Sequence, residues 1–472
     1  MNKPLALKKT DTIRSAFKIL SGQFGMIICI ISNDDVLTGV VTEGDLRRAI
    51  LKGFSLDTKL EEVQNVNPFY VYESELNAKK IVKSKIYPGI NPEIGSQPLI
   101  CPVVDKNKRL LNILNMETLI EILQNQDYKI DFSKKQKPHV LVVGGAGYIG
   151  SVLTSHLIKK GWKVRVVDKM LYEKESLKEF IDNKNFSLIK KDICDLSVQV
   201  EAIKDIDCVV FLAEIVGDPS CNIRPEDALK TNYLAVSSMA NLCSHMNINR
   251  FIYTSSCSVY GSNKKSNDLL KENSVLNPIS HYARIKTMSE KALFSQSNML
   301  FSPTILRLAT VCGPSPRHRF DLVVNTFARN AFFDKKINVH GGDQSRPNVH
   351  VDDVANAIIK IIDSPLKKVK KQIFNLCNDS QNFSIIELAK MTQSIFPKCK
   401  ITIDDNIDDR RDYRVSSKKI KNVINFEASK TVIDVLNEFK KIFEKEKTFN
   451  VYQKKFSNFA TLNNEKPKYK NK

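Results

Sequence analysis

The chain of 472 residues lacks any long apolar run, and this absence limits where it can act. The longest apolar stretch near the N-terminus spans residues 26–31, whereas a membrane-spanning helix needs about 20 apolar residues. Residues 1–10 carry lysines but neither an apolar core nor a small-residue cleavage site, so no secretory signal is predicted. We therefore expect a cytoplasmic protein with no membrane partner.

The ten cysteines lack the spacing that a metal or disulfide framework requires. No Cys-x-x-Cys pair and no Cys/His cluster with zinc spacing occurs. Reduced thiols, mostly buried as small apolar side chains, are the better interpretation. No metal is therefore expected in the chemistry of this chain.

Acidic residues are outnumbered, since 52 Asp and Glu face 72 Lys and Arg and leave a net charge of +20. Such an excess is one signature of a nucleic-acid-binding protein. Here the basic residues are spread along the chain, and no DNA- or RNA-binding motif accompanies them. We expect no nucleic-acid partner, and part of the excess suits attraction of a phosphate-bearing substrate.

What the sequence does contain is a glycine-rich turn between a strand pattern and a helix pattern. Residues 140–143 are apolar, residues 144–150 read Gly-Gly-Ala-Gly-Tyr-Ile-Gly, and a helical pattern follows. Glycines at Gly144, Gly147 and Gly150 let the turn close, let the backbone approach a pyrophosphate and let the helix pack on the strand. Free N–H groups at the positive end of the helix dipole favour a bound phosphate.

Three further residues indicate a nicotinamide enzyme. Tyr282 and Lys286 lie four apart, so on a helix they share a face, and the lysine can lower the pKa of the tyrosine and make it a base. Asp168 follows the glycine turn by about twenty residues, at the end of the second strand pattern. An acidic side chain there bonds the adenosine ribose and repels a 2′-phosphate, which favours NAD over NADP.

The region around these motifs alternates strand and helix patterns. Short, nearly all-apolar strands with helical crossovers predict a parallel sheet covered on both faces, with ligands at the carboxyl ends of the strands. The predicted fold class is α/β, a Rossmann-type doubly wound parallel sheet with a small C-terminal substrate-binding part. The strand patterns span residues 140–143, 163–167, 186–190, 208–212, 250–254 and 304–308.

The N-terminal region contains an internal repeat that predicts an α+β module ahead of the sheet. Each copy reads as a hairpin followed by a helix. The first copy covers 26–31, 37–41 and 44–52, and the looser second copy covers 99–104, 110–114 and a helix from Met116. The predicted domains are the repeat at 1–126, a linker at 127–137, the α/β domain with its C-terminal lobe at 138–445, and a basic, frayed tail at 446–472.

Over roughly residues 139–443 the chain resembles the extended short-chain dehydrogenase/reductase family, the NAD-dependent nucleotide-sugar epimerases and dehydratases. Several motifs match in order. They are the glycine turn, Asp192-Ile193, Leu212-Ala213, Asn232, Thr-Ser-Ser-Cys-Ser-Val-Tyr-Gly at 254–261, Tyr282-x-x-x-Lys286 and Ser345-Arg346-Pro347. As a set, these motifs are specific for the family.

The resemblance implies a role for each motif. Tyr282 would be the acid/base on a sugar hydroxyl, Lys286 would bind the nicotinamide ribose, and Ser256 would hydrogen-bond the same hydroxyl. Hydride transfer from a sugar carbon to NAD and back to the other face would give epimerisation. The implied NAD contacts are Gly144, Gly147, Tyr148, Ile149, Gly150, Asp168, Asp192, Ile193, Leu212, Ala213, Asn232, Ser255, Tyr282 and Lys286. The implied substrate is a nucleotide-diphospho-sugar held by Asn325, Arg346 and Arg411. The resemblance also implies a homodimer.

Departures from the family pattern bear on the choice of reaction. Dehydratases carry Asp-Glu after the residue that matches Ser256, and decarboxylases usually carry Glu at the position of Ser258, whereas this chain has Cys257 and Ser258. Galactose-type epimerases have Asn at the position where this chain has Thr310. Many relatives have Gly or Ala at the position where this chain has Glu214. Dehydration and decarboxylation are therefore disfavoured, and the sugar pocket differs from that of a standard galactose epimerase.

The expected function is thus an NAD-dependent nucleotide-diphospho-sugar epimerase, in polysaccharide or glycan precursor synthesis. One alternative is an NAD(P)H-dependent 4-keto-sugar nucleotide reductase or a dehydratase. Another, of a different class, is a non-catalytic nucleotide-sensing scaffold. Intact Ser256, Tyr282 and Lys286 argue against the scaffold, because a protein without chemistry need not keep them.

The N-terminal repeat resembles a tandem CBS module, a type of nucleotide sensor. Its first copy reads Gly-Val-Val-Thr-Glu-Gly-Asp-Leu-Arg-Arg at 39–48, and the resemblance implies that Thr42 and Asp45 hold an adenine nucleotide. The second copy, Asn-Ile-Leu-Asn-Met-Glu-Thr at 112–118, lacks both residues. At most one competent site is expected, and a docking or dimerisation module without ligand is the alternative.

Overall fold

A computed structural model describes residues 6–20, 27–68, 70–75, 101–114, 137–172, 175–246, 248–262, 268–297, 301–404, 411–445 and 450–464. Contacts divide the chain into two compact units, Met1–Asp131 and Phe132–Lys472. Within the described ranges, no helix combines the length and the apolarity that crossing a membrane requires.

The first unit contains the two predicted hairpins. β2 pairs antiparallel with β3, β1 adds to β2 in parallel, and β5 pairs antiparallel with β6 beside the short β4. Both hairpins of the repeat are confirmed, whereas the helix predicted from Met116 lies outside the described residues. The elements are β1 (Ala6–Lys8), α1 (Ile13–Leu20), β2 (Ile27–Ile31), β3 (Leu37–Thr42), α2 (Glu43–Leu51), β4 (Val71–Tyr72), β5 (Cys101–Val104) and β6 (Leu110–Leu114).

The strands of the second unit fall into one large sheet and two small ones. They are β7 (His139–Val143), β8 (Lys163–Val167), β9 (Phe186–Ile189), β10 (Cys208–Phe211), β11 (Arg250–Ser256), β12 (Thr304–Leu308), β13 (Thr310–Cys312), β14 (Lys336–His340), β15 (Ser345–His350), β16 (Ile373–Leu376), β17 (Asn382–Ser384) and β18 (Lys400–Asp404). The large sheet has seven parallel strands in the order β16-β12-β11-β10-β7-β8-β9. This order confirms the doubly wound α/β fold, and all six predicted strands belong to it.

The helices of the second unit cover both faces of this sheet or pack in the C-terminal lobe. They are α3 (Tyr148–Lys159), α4 (Leu196–Ala202), α5 (Asp218–Ile223), α6 (Pro225–Leu229), α7 (Ala235–His245), α8 (His281–Ser295), α9 (Val323–Phe333), α10 (Val351–Asp363), α11 (Leu366–Val369), α12 (Ile385–Ile395), α13 (Lys418–Ile424), α14 (Val432–Lys445) and α15 (Asn458–Asn464). A π-helical turn, Lys230–Leu234, joins α6 to α7. The 3₁₀ helices are Leu60–Glu62, Glu73–Glu75, Lys178–Phe180, Cys257–Tyr260, Asp379–Gln381 and Lys454–Phe456.

The all-apolar sequence of β7 follows from its burial on two sides. Val140 and Val142 belong to the core that includes residues of α3 and α10, while Leu141 and Val143 belong to the core that includes residues of α4 and α7. Successive side chains of a strand point to opposite faces, so a sheet covered by helices on both faces needs apolar residues at every position.

The C-terminal lobe packs around a third core that is rich in phenylalanine. Its strands form the β13-β15-β17 and β14-β18 sheets, and α9, α12 and α14 enclose Phe320, Phe327, Phe439 and Phe443. Such aromatic clusters bury a large apolar area for each residue. This lobe borders the carboxyl ends of the large sheet and completes the site described below.

The C-terminal segment differs from the expected frayed tail at 446–472. Residues 450–464 are folded, and Val451, Phe456 and Leu462 are buried. Phe456 joins the phenylalanine-rich core, and Leu462 packs in a cluster with Tyr282. The segment was expected to be frayed because it is rich in lysine and asparagine, with only three widely spaced apolar residues that are buried within residues 450–464. Burial of these three side chains offsets the entropy cost of ordering the segment.

Candidate active site

A cavity of about 880 Å³ opens at the carboxyl ends of the large sheet. The glycine turn after β7, the ends of β8, β10 and β11, helix α8 and the C-terminal lobe all contribute to its lining. The strand order reverses between β7 and β10, and this switch point is where open α/β sheets bind their ligands.

The glycine turn has the geometry of a phosphate-binding loop. Helix α3 starts at Tyr148 with Gly147 as its N-cap, and no side chain caps the helix. Gly144 has φ +84°, and a Cβ on Gly150 would lie 2.2 Å from the carbonyl oxygen of Gly144. Only glycine therefore fits these positions, and the uncapped N–H groups of α3 suit the pyrophosphate of NAD.

Two carboxylates border the cavity beside this turn. Asp168 accepts hydrogen bonds from the backbone N–H groups of Ala146, at 3.0 Å, and Met170, at 2.7 Å. Burial raises the pKa of Asp168, and these two N–H donors oppose that effect. Asp192 accepts from the backbone N–H of Cys194 at 3.0 Å. Both residues line the cavity, together with Ile193, Leu212 and Ala213.

Ser256, Tyr282 and Lys286, the residues predicted to be catalytic, all line the cavity. Ser256 ends β11, and its hydroxyl accepts from the backbone N–H of Ser258 at 3.2 Å. The hydroxyl of Ser280 caps α8 by accepting from the N–H of Ala283 at 3.2 Å, which fixes the start of the helix at His281, one residue before Tyr282. All three residues of the proposed catalytic set line the same cavity as the glycine turn.

A buried ion pair dominates the electrostatics of this set. The ammonium group of Lys286 contacts a carboxylate oxygen of Glu214 and the backbone carbonyl of Thr254. It lies 4.6 Å from the ring centroid of Tyr253 and 5.6 Å from that of Tyr282. Burial raises the pKa of Tyr282 well above its ordinary value, and the negative charge of Glu214 adds to that effect.

Arginines line the other end of the cavity. Arg346 donates to the carbonyl of Ser345 at 2.8 Å and to the carbonyl of Arg411, and its guanidinium lies 5.5 Å from the ring of Tyr413. Arg411 forms an ion pair with Asp218 at 3.0 Å. Both predicted arginines line the cavity. Guanidinium groups bind phosphate oxygens in a bidentate manner, so these side chains have the chemistry to bind a diphosphate.

Arg317 and Arg319 form a second basic group. Arg317 is 2% exposed, lies 4.4 Å from the ring centroid of Tyr172 and donates to the side-chain oxygen of Asn458 at 2.5 Å. Burial lowers the pKa of Arg317 to about 10, with Arg319 contributing. Arg319 pairs with Asp321 at 2.9 Å. Asn458 was not predicted as a site residue, because it lies in the segment expected to be frayed.

Two asparagines among the predicted contact residues are held by internal hydrogen bonds. Asn325 is fully buried: its oxygen accepts from the N–H of Gly313 at 3.0 Å, and its nitrogen donates to the hydroxyl of Tyr148 at 3.1 Å. Asn232 is also fully buried, and its amide exchanges two 2.9 Å hydrogen bonds with the backbone of Ile215. These hydrogen bonds brace the loops that line the cavity. Contact of Asn325 with the substrate and of Asn232 with NAD stays a prediction.

The two residues at the departure from the dehydratase pattern face different surroundings. Cys257 is fully buried, and its thiol contacts the carbonyl of Arg307 at 3.2 Å. Burial raises the pKa of this thiol well above its ordinary value, so Cys257 packs rather than reacts. Ser258 lines the cavity, and its buried hydroxyl has no hydrogen-bond partner within the described residues. A substrate group is a natural partner for such a hydroxyl.

Fold and cavity together are typical of a nucleotide-binding α/β enzyme, with the candidate acid/base residues in the same cavity as the glycine turn. A model of the NAD dependent epimerase/dehydratase family matches residues 140–377. The chain belongs to that family, whose cofactor is NAD. A model of the CBS domain matches residues 1–52.

Individual proteins are similar to this chain in sequence or in fold. Protein CapI of Staphylococcus aureus is 32% identical over 242 residues, which cover 49% of this chain and 71% of CapI. UDP-glucuronic acid decarboxylase 1 of Xenopus tropicalis is 26% identical over 269 residues, 56% of this chain and 61% of that protein. The fold also matches the crystal structure of UDP-glucuronic acid 4-epimerase from Bacillus cereus in complex with UDP-glucuronic acid and NAD, with a TM-score of 0.58 and 23% identity over 64% of this chain and 99% of that one.

Proposed function

We propose that the chain is a nucleotide-diphospho-sugar epimerase that oxidises one sugar carbon transiently. The observation that carries this proposal is that Ser256, Tyr282 and Lys286 line the same cavity as the glycine turn. A cavity that combines an acid/base group with a phosphate-binding turn suits oxidation of a bound hydroxyl. Membership of the family supports the same chemistry.

Each of the three residues has a task in this reaction. Tyr282 removes the proton from a sugar hydroxyl, and Ser256 hydrogen-bonds that hydroxyl and orients it. Lys286 binds the nicotinamide ribose and places a positive charge near Tyr282, which favours the tyrosinate form. Bound NAD supplies the hydride acceptor and returns the hydride. Return of the proton by Tyr282 completes the cycle with no net oxidation.

The arginines of the cavity suggest the class of substrate. Arg346 and Arg411 suit the diphosphate, since guanidinium groups bind phosphate oxygens in a bidentate manner. Nε of the buried Arg317 has no hydrogen-bond partner within the described residues, which suits a sugar that carries an anionic group. Two similar proteins are named for UDP-glucuronic acid, so UDP-glucuronic acid is the first substrate to test. The product of such an enzyme suits polysaccharide or glycan precursor synthesis.

Dehydration and decarboxylation have less support from the site. Those subgroups place carboxylates at the positions of Cys257 and Ser258, whereas here one side chain is a packed thiol and the other a hydroxyl. Neither can act as the acid that expels water or as a carboxylate base near neutral pH. Epimerisation needs only the acid/base that Tyr282 provides.

The test is the incubation of the protein with UDP-glucuronic acid, followed by nuclear magnetic resonance of the sugar. A new epimer of unchanged mass, formed without net NADH change, is expected. Tyr282→Phe should lose turnover by at least about a hundredfold while it keeps NAD affinity. Undiminished turnover by that variant contradicts the assignment of the base. Loss of carbon dioxide or water from the sugar points to the decarboxylase or dehydratase reaction.

Two rival functions give different results in the same assay. A 4-keto-sugar reductase consumes NADH in proportion to the keto-sugar supplied, whereas an epimerase turns over without added reductant. A nucleotide-sensing scaffold binds NAD and converts no nucleotide sugar. If a panel of UDP-, dTDP-, GDP- and CDP-sugars remains unchanged, the scaffold is favoured.

Regulation by an adenine nucleotide at the N-terminal unit is a separate proposal. Thr42 and Asp45 form a capping box at the start of α2: the threonine hydroxyl accepts from the N–H of Asp45 at 3.1 Å, and the aspartate accepts from the N–H of Thr42 at 2.9 Å. Arg48 also pairs with Asp45 at 2.6 Å. A nucleotide would therefore exchange with these contacts. Calorimetric titration of the full chain with AMP, ADP and ATP tests this proposal, and the absence of binding heat with all three nucleotides contradicts it.

The homodimer is a further proposal, which light scattering tests by measuring the mass of the protein in solution.

A further inference from the structure

A buried carboxylate faces the proposed catalytic lysine. The side chains of Glu214 and Lys286 are 4% and 1% exposed, and they form an ion pair at the carboxyl end of β10. Glu214 directly follows Ala213, and both residues line the cavity. The pair therefore lies inside the site, where water does not screen it.

Neither charge of this pair is stable alone. Burial lowers the pKa of Lys286, and Glu214 opposes that effect through its charge and its hydrogen bond. Burial likewise raises the pKa of Glu214, and Lys286 opposes it. A buried lysine without a partner loses its proton, and a buried glutamate without a partner gains one. Each residue therefore favours the ionised form of its partner.

We propose that Glu214 is a positioning residue that holds Lys286 in its ammonium form and fixes it beside Tyr282. The inference rests on the proposed role of Lys286 in the reaction. Glu214 and the carbonyl of Thr254 engage two of the three donors of the ammonium group, so one donor remains for a ligand. Without the carboxylate, Lys286 would be a neutral amine that no longer places a positive charge near Tyr282.

Other groups around Lys286 do not replace Glu214. The carboxylate of Glu290, one turn further along α8, is paired with Arg307 at 2.7 Å and accepts from Ser255 at 2.5 Å. The remaining ionisable groups that face the lysine are neutral near pH 7, because burial raises the pKa of each. They are Cys221 on α5, Tyr253 on β11 and Tyr282 on α8.

The first test measures the ionisation of Lys286 in the full chain without substrate. Glu214→Gln keeps the shape of the side chain and removes its charge. Acetylation by acetic anhydride is followed against pH by peptide mass spectrometry, because only the neutral amine reacts. In Glu214→Gln, the pH at half-maximal labelling of Lys286 should be lower than in wild type by at least about one unit. At a pH below both midpoints, this shift corresponds to about tenfold faster labelling of the variant. An unchanged midpoint overturns the proposal.

Two controls separate charge from general loosening. Lys291, exposed on the same helix, is the internal reference and should keep its midpoint. Glu201→Gln removes the carboxylate of an exposed ion pair with Lys191 and should leave Lys286 unchanged. If Lys286 labels faster at every pH with the same midpoint, the carboxylate has only a structural role and the proposal fails.

A double-mutant cycle keeps the inference testable when Glu214→Gln folds poorly. Glu214→Gln and Lys286→Met each leave one buried partner uncompensated, whereas the double variant leaves none. The thermal midpoint of the double variant should exceed that of the less stable single variant. Additive losses contradict the proposal. Both tests run without a sugar substrate, so their failure is distinguishable from failure of the proposed epimerase activity.

Discussion

The hydroxyl of Tyr148 donates to the carbonyl oxygen of Gly313 at 2.7 Å, across 165 positions of the chain. Tyr148 is the first residue of α3 and belongs to the glycine turn, whereas Gly313 follows β13 in the C-terminal lobe. Asn325 donates to the same hydroxyl at 3.1 Å and also binds Gly313. The glycine turn and the C-terminal lobe are therefore joined by one buried hydrogen-bond network.

Replacing Tyr148 with Phe should destabilise the larger unit. The change removes two buried hydrogen bonds and leaves the carbonyl of Gly313 with fewer donors, at a cost of about 1–3 kcal/mol in the free energy of unfolding. Thermal unfolding measures the loss. Tyr452→Phe is the matched control, because that exposed hydroxyl bonds Asp334 at the surface and its loss should cost less. Equal losses would show that burial of the network contributes nothing.

Much of this arrangement was predictable from local sequence. The all-apolar strands, the glycine turn and the Tyr282–Lys286 spacing act within a few residues, so their patterns predicted the sheet and the residues at its carboxyl end. By contrast, β16 was not predicted, because Asn375 interrupts its apolar run. That buried amide is satisfied by the hydroxyl of Tyr260 and the carbonyls of Leu270 and Ser416, partners that no local pattern reveals.

The internal hydrogen bonds of the two buried asparagines could not be predicted for the same reason. An asparagine that binds a ligand and one that braces a loop look alike in sequence, and only the distant partners of Asn325 and Asn232 show that both brace loops. The pairing of Glu214 with Lys286 joins residues 72 positions apart, so the sequence showed an unusual glutamate without its partner. Long-range contacts of polar side chains are therefore what sequence patterns leave undetermined.

Two glycines of the turn should respond differently to alanine. At Gly150 an added Cβ would lie 2.2 Å from one backbone atom and 2.6 Å from another, so Gly150→Ala should lower the thermal midpoint and abolish NAD binding. At Gly147 the only near atom is 3.2 Å away, and this residue lines the cavity. The Gly147→Ala variant should fold normally, and its affinity for NAD should be lower by about tenfold or more. Calorimetry and thermal unfolding measure both, and identical behaviour of the two variants would contradict the assigned geometry.

Asp352 should make the fold sensitive to acid. A hydrogen bond from His156 lowers the pKa of Asp352, and Lys430, at 2.7 Å, adds to the effect. A carboxyl group whose pKa is lower in the folded state stabilises the fold above its unfolded pKa of about 3.9, and this contribution is lost as the pH falls toward the folded value. The pair joins α3 to the start of α10.

The expected result is a pH-dependent difference between wild type and Asp352→Asn. Thermal midpoints should differ most near neutral pH, and the difference should shrink as the pH falls below about 4. Asp182→Asn, at an exposed position, is the control and should differ little from wild type at any pH. A difference for Asp352→Asn that is constant between pH 3 and pH 7 would show that the charge of Asp352 is not what stabilises the contact.

Asn458 connects the C-terminal segment to Arg317 and Asp321, which line the cavity. Its side-chain oxygen accepts from Arg317 at 2.5 Å, and its backbone N–H donates to Asp321 at 2.8 Å. Asn458→Ala removes the first bond and keeps the second. The guanidinium of Arg317 then loses its side-chain acceptor, while the glycine turn and Asp168 are unaffected.

Asn458→Ala should therefore lower the affinity for the nucleotide sugar and leave the affinity for NAD unchanged. Loss of one charge-assisted hydrogen bond that orients Arg317 corresponds to an affinity lower by about 5- to 30-fold for UDP-glucuronic acid. Calorimetric titration with UDP-glucuronic acid and with NAD measures the two effects separately. Asn463→Ala, at an exposed position of the same helix, should change neither affinity. If Asn458→Ala lowers NAD affinity as much as sugar-nucleotide affinity, the C-terminal segment supports the whole cavity rather than the substrate end alone.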